Sequence, residues 1–186
     1  MLLRCLLPLA LLPLAAVASA ACTLTDPTLT LQSYRVDAQK ERIAMYWQDR
    51  HGKAWGSLRS LLAGIDGDGR AKIVPLPAYK PSPAIRYAVQ SGPMLIENGV
   101  INWRLKPSAS SRKLRNGVGI DKQGRVVFML SDRETNFYDF ACYAQSKLGV
   151  RQMLYLDGTL SKMYRKGGSV PWQYHPFVTM ITVERK

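Results

Sequence analysis

The chain has 186 residues, 47% of them hydrophobic, which suits one domain with a buried core and argues against a disordered chain. Its formal net charge of +13 and pI near 9.9 give a surface that attracts anions: phosphates, acidic glycans or lipid head groups. With three cysteines and two histidines, zinc-site and cysteine chemistry lack ligands, and no metal is expected.

Residues 1–20 read as a secretory signal peptide: Arg4 supplies the charge, residues 6–17 form an apolar run, and Ala18-Ser19-Ala20 is a small-residue cleavage signal. Pro8 and Pro13 interrupt that run, which is short for a bilayer span, and no second candidate span follows in the mature chain. The expected location is therefore periplasmic or secreted, where nucleic acid is not the proper ligand. Cys5 departs with the signal, leaving Cys22 and Cys142 in an oxidising compartment where one disulfide can persist. A lipoprotein anchor through Cys22 is the less favoured reading, because Ser19 stands where the usual leucine would be.

Residues 29–36 and 42–47 alternate as two strands, and the polar turn at 37–41 predicts that they pair as a hairpin. Residues 57–63 suit one short helix capped by Ser57 and stopped by Gly64. Asp66-Gly67-Asp68-Gly69 opens like a calcium loop, but Ala71 and Pro77 occupy the glycine and glutamate positions, so it is read as a turn. Residues 75–83 hold four prolines and predict an extended crossing, followed by a strand at 85–90. A hairpin over 93–103 turns at Asn98-Gly99, and a second joins 117–121 to 125–130 through Lys122-Gln123-Gly124. Phe137, Phe140, Ala141, Ala144 and Leu148 share one face of a helix capped by Asn136 and ended by Gly149. Strands at 153–156 and 177–183 complete a single α+β domain over 21–186, with a mixed or mainly antiparallel sheet and few helices.

Three segments can carry chemistry. Tyr155-Leu156-Asp157-Gly158 ends an apolar strand in a carboxylate and a glycine, so Asp157 is either a site residue held at a strand exit or a turn cap. Gln90-Ser91-Gly92-Pro93 places an amide, a hydroxyl and backbone N–H groups at one sharp turn, as an anion or sugar site requires. Arg115-Asn116 leads into another strand, where an arginine can hold a carboxylate or phosphate, or simply lie on a basic surface. Ser91 lacks a nucleophile elbow and a histidine partner, which excludes a serine-hydrolase triad. Gly117 and Gly119 lack the third glycine of a dinucleotide fingerprint.

In this order, Gln90 to Pro93, Arg115 with its glycine-containing strand, the helix that starts at Asn136, and Leu156-Asp157-Gly158 with Ser161 resemble the phosphodiester glycosidase family, in its bacterial envelope branch. The resemblance covers residues 85–164 and extends to the N-terminal hairpin. It implies hydrolysis of glycosyl phosphodiesters of the N-acetylglucosamine type, in envelope glycans. Asp157 would then be base, nucleophile or substrate-hydroxyl anchor, and Arg115 a phosphate clamp. Gln90, Ser91, Gly92, Asn116, Gly158 and Ser161 would line the substrate. The implied partners are an anionic glycan or sugar phosphate, with an anionic envelope surface as a further option; a cofactor is not specified.

Two features depart from the family pattern. Segments usual between the first hairpin and the Gln-Ser-Gly-Pro turn are missing, so the domain is expected to be incomplete between 64 and 84. Thr159 and Leu160 replace glycines after Asp157-Gly158, restricting backbone approach to a ligand. The alternative function is therefore a truncated, non-catalytic glycan- or phosphate-binding envelope protein.

Overall fold

The computed structural model describes residues 22–46, 62–66, 71–158, 161–169 and 180–186. Its centre is a six-stranded antiparallel sheet in the order β1-β9-β8-β10-β6-β7. The members are β1 (Leu31–Arg35), β6 (Met94–Glu97), β7 (Val100–Ile101), β8 (Asn116–Asp121), β9 (Val126–Ser131) and β10 (Val150–Asp157). A two-stranded sheet pairs β2 (Glu41–Tyr46) with β11 (Met180–Arg185), and a three-stranded one runs β4 (Ala71–Val74), β3 (Leu62–Asp66), β5 (Ile85–Gln90). The single α-helix among the described residues is α1 (Phe137–Leu148). This is the α+β class with few helices that the strand-rich sequence predicts.

Period-2 alternation sends the side chains of the main sheet into two separate cores. On one face α1 lays Phe140, Ala141 and Ala144 against Leu95, Ile96, Met129 and Met153, with Phe137 and Leu148 at the margin. Asn136 caps the helix by accepting from the Asp139 N–H at 2.7 Å, and Gly149 closes it at φ 70°. Gly117 and Gly119 belong to this face, where β-carbons would lie 2.8 Å from the Leu154 carbonyl oxygen and 2.6 Å from Val150 Cγ1. They are glycines because helix and strands close tightly over β8. On the opposite face Val118, Val126 and Leu154 meet Ile73 of β4 and, more loosely, Ile43 of β2 and Val183 of β11. The small sheets thus cover the side that the helix leaves open.

The segment that precedes β1 is tied to the helix. Cys22 and Cys142 form a disulfide with Cα atoms 5.7 Å apart. One turn earlier on the helix, the buried Asp139 carboxylate accepts from both the backbone N–H and the hydroxyl of Thr25.

Two expectations need correction. The strands at 29–36 and 42–47 exist but do not form a hairpin: β1 pairs with β9 and β2 with β11. The Asp37 carbonyl accepts from the N–H groups of Lys40 and Glu41, and the Asp37 N–H donates to the Glu41 carboxylate at 2.8 Å. That closed turn carries the chain out of the main sheet into the layer above it. The helix expected over 57–63 gives way at its end to β3, which binds both β4 and β5; its earlier part and Gly67 to Gly69 lie outside the described residues. Leucines at 58, 61 and 62 fit a helical stripe, and pairing on both sides decides for a strand. The proline-rich crossing includes a short 3-10 turn at Leu76–Ala78. The two remaining hairpins form as expected, with Asn98 and Gly99 both at positive φ in the first.

Candidate functional site

The three singled-out segments meet at the C-terminal end of β10. β5 ends at Gln90 in the three-stranded sheet, and Ser91-Gly92-Pro93, with a cis Gly92–Pro93 bond, crosses to β6 in the main sheet. The crossing docks on β10: the Ser91 hydroxyl donates to the Leu156 carbonyl at 2.8 Å, and the Tyr155 N–H donates to the Pro93 carbonyl at 3.2 Å. From the other side, the Asn116 side-chain oxygen accepts from the Asp157 N–H at 2.7 Å. The register between β8 and β10 shifts between Tyr155 and Asp157, a bulge of the kind that re-aims side chains at functional strand ends.

Asp157 is exposed. One of its carboxylate oxygens accepts from the Gly158 N–H at 2.6 Å, and among the described residues no cation pairs with it. Gly158 is buried, and a β-carbon there would sit 2.8 Å from the Tyr155 hydroxyl oxygen and 3.4 Å from the Leu114 carbonyl. Its lack of a side chain makes room for the phenol. Ser161 is 6% exposed; its N–H donates to the Gly158 carbonyl at 3.1 Å, while its hydroxyl has no partner among the described residues. A buried hydroxyl left this way costs free energy until water or a ligand satisfies it.

Arg115 does not lie on the surface. It is 3% exposed, with its guanidinium carbon 3.8 Å from the Phe137 ring centroid and 5.5 Å from that of Tyr155. The two rings pack edge to face at 4.8 Å. Its Nε donates to the Thr135 carbonyl at 3.2 Å, one terminal nitrogen donates to the Ser111 carbonyl and hydroxyl, and the other faces the Tyr155 hydroxyl at 3.5 Å. All these partners are neutral. Among the described residues no carboxylate pairs with this cation, an unusual state for a buried charge.

Tyr155 was not among the residues singled out from sequence, where it read as a bulky strand residue. The available signal was its position two residues before Asp157 on a strand that ends in glycine. Elsewhere, the basic stretch 104–115 includes Arg104 and Lys106, whose charged groups lie 5.4 and 5.8 Å from the ring centroid of the exposed Trp103. A cavity of about 30 Å³ lies between the main sheet and the smaller ones, bordered by Ile43, Ile73, Val118, Phe128 and Leu156, and offers no reacting group. Among the described residues, no cluster of His, Cys, Asp or Glu could hold a metal ion, and no helix is long and apolar enough to cross a membrane.

The chain belongs to the phosphodiester glycosidase family, whose sequence pattern matches residues 46–186. It is 48% identical to YigE of Escherichia coli (strain K12), described as an uncharacterized protein, over an aligned length of 236 residues that covers 98% of this chain and 93% of that one. That aligned length exceeds the 186 residues of this chain, so the relative carries residues inside the aligned span that this chain lacks. Among solved structures, the chain is similar to the catalytic domain of zebrafish N-acetylglucosamine-1-phosphodiester alpha-N-acetylglucosaminidase, auto-inhibited by its pro-peptide. The identity is 12% and the TM-score 0.49, over 77% of this chain and 75% of that one. A hypothetical protein from Synechocystis is similar at 15% identity and TM-score 0.35, over 72% of this chain and 37% of its own.

Proposed function

We propose that this chain is an exported hydrolase of glycosyl phosphodiesters, of the N-acetylglucosamine type, in envelope glycans. The observation that carries the reading is the convergence on one strand end of an exposed carboxylate bound by the Gly158 N–H, a buried hydroxyl and a buried cation; among the described residues the hydroxyl has no partner and the cation has only neutral ones. Asp157 acts as base, nucleophile or anchor of a sugar hydroxyl. Hydrolysis at the anomeric carbon of a sugar 1-phosphodiester expels a phosphate monoester that is already anionic, so the reaction needs positive charge near the leaving group more than a strong proton donor. Arg115 supplies that charge, and its burial makes it act from behind the site. Gln90, Ser91, Gly92, Asn116, Gly158 and Ser161 form the substrate-binding rim, in which Ser91 and Asn116 hold the end of β10 in place.

Export is supported by the apolar leader and by the disulfide, which suits an oxidising compartment such as the periplasm. The bond between the Cys22 and Cys142 sulfurs favours this reading over a lipid anchor at Cys22. The test is release of N-acetylglucosamine from α-N-acetylglucosamine 1-(methyl phosphate) by the purified chain. Asp157→Asn should lower kcat by about 100-fold or more, and unchanged turnover would sink the role given to Asp157.

A second reading, a binding protein without turnover, is favoured by the residues missing relative to YigE. We place that missing piece between 64 and 84. Ligand binding with no product, together with activity on reinsertion of the corresponding YigE segment, would select this reading.

A further inference from the structure

We propose that the Tyr155 hydroxyl is a hydrogen-bond donor to the substrate's phosphate, and that Arg115 is the residue that positions it. The assignment rests on the phosphodiester reading of the site and adds the group that meets the phosphate. A phenol has one proton to give and lone pairs to receive with. The guanidinium of Arg115 has only protons to give, so across the 3.5 Å between them the phenol oxygen is the acceptor. Its own proton is left over, and among the described residues nothing accepts it. The ring cannot swing freely to find a partner, because it is wedged edge-on against Phe137 at 4.8 Å.

Gly158 fixes where that proton is offered. A β-carbon there would come within 2.8 Å of the phenol oxygen, so the hydroxyl lies against the backbone of the residue that follows Asp157. Ser161, whose hydroxyl has no partner among the described residues, is tied to the same glycine by its backbone N–H, which donates to the Gly158 carbonyl at 3.1 Å. An anion received at this point satisfies the phenol directly and the buried guanidinium at one remove, which gives Arg115 the counter-charge that the protein withholds. The ligand class is a phosphate ester, since a neutral sugar would leave the cation uncompensated.

The experiment uses the full chain with two probes: α-N-acetylglucosamine 1-(methyl phosphate) for turnover, and N-acetylglucosamine 1-phosphate for binding by calorimetry. Tyr155→Phe removes one oxygen and keeps the ring. It should weaken binding of the phosphate ester about 10-fold or more, with the thermal midpoint held within a few degrees, and lower kcat/KM by at least as much. Arg115→Gln should cost at least as much, because it also removes the positive charge, and the double variant should lose less than the two single losses added, because part of each acts through one hydroxyl. Should Arg115→Gln fail to fold, Tyr155→Phe decides alone. Wild-type binding by Tyr155→Phe, or losses that add in the double variant, would overturn the assignment. A wild-type chain that binds the ester but does not cleave it removes the hydrolase reading and leaves Tyr155 to be judged on binding. A chain that binds neither probe overturns both.

Discussion

The two ends of β8 each carry a buried charge, and they are treated in opposite ways. At the far end Asp121 is 3% exposed, and its carboxylate is fully engaged. It meets the Nε atoms of Arg35 and Arg125 at 3.0 and 2.9 Å, and it accepts from the N–H groups of Gln123 and Arg125 at 2.9 Å each. Just before the near end, Arg115 is equally buried and meets carbonyls, hydroxyls and two aromatic rings. A charge satisfied by the protein holds the fold together, as Asp121 does by joining β1 to the β8–β9 turn. A buried charge with no carboxylate beside it among the described residues is what the proposed phosphate ligand would balance.

The largest effect should come from breaking the satisfied end. Asp121→Asn puts an amide nitrogen against two guanidinium groups and should cost about 2–4 kcal/mol in urea unfolding, below the full cost of a buried pair because both arginines reach solvent. Arg115→Gln should cost about 1 kcal/mol, since losing the ring and carbonyl contacts is offset by removing a desolvated charge, while binding of a sugar phosphate collapses. If Arg115→Gln proved the more destabilising of the two, the contrast between the ends would be reversed.

Acid should sharpen the same contrast. Burial acts to raise the Asp121 pKa, but hydrogen bonds from the Arg125 backbone and side chain and the Gln123 N–H outweigh it, and the net position is below the ordinary carboxylate value. A carboxylate depressed in the folded state stabilises above its unfolded pKa of about 3.9, and that contribution is lost as pH falls through the folded value. Wild-type stability should therefore fall more steeply below about pH 4 than that of Asp121→Asn. A weaker slope should survive in the variant, because Asp26 and Asp132 are also held low, Asp26 chiefly by hydrogen bonds from Thr28, and Asp132 by bonds from Thr30 that outweigh its burial. Equal slopes in thermal melts between pH 2.5 and 5 would show that Asp121 is not the main acid-sensitive group.

An effect on stability no larger than that of Arg115→Gln belongs to Gly158→Ala. The new methyl must displace the Tyr155 hydroxyl, at about 1 kcal/mol, and should impair phosphate binding as Tyr155→Phe does. Adding Tyr155→Phe to Gly158→Ala should restore part of the lost stability and none of the binding. A Gly158→Ala protein that melts and binds as wild type would mean that the phenol is not held where the structure has it.

Much of the fold was legible because its signals are local. Asn98-Gly99 dictates a primed turn, Asn136 and Gly149 bracket a helix whose apolar stripe is unbroken, and Lys122-Gln123-Gly124 separates two β-branched runs. Pairing partners were not legible where they are distant: nothing in residues 31–46 says that β1 seeks β9 and β2 seeks β11, while the link between them is short enough to suggest a hairpin. The candidate site was read as three motifs in family order, and the structure brings them to one strand end. What the sequence hid was the burial of Arg115 and the place of Tyr155, because each depends on Phe137, Ser111 and Thr135 arriving from other elements.

The disulfide also bears on how the chain is assembled. Cys22 must wait for Cys142, 120 residues further along, and no other cysteine lies between them or after them. If residues 1–20 are removed with Cys5, as the export reading has it, an oxidant has a single intramolecular pairing to make and no wrong one to undo. Maturation should accordingly require an oxidase and no isomerase, with the bridge closing only when the helix has emerged and the strand that ends in Asp157 is about to follow.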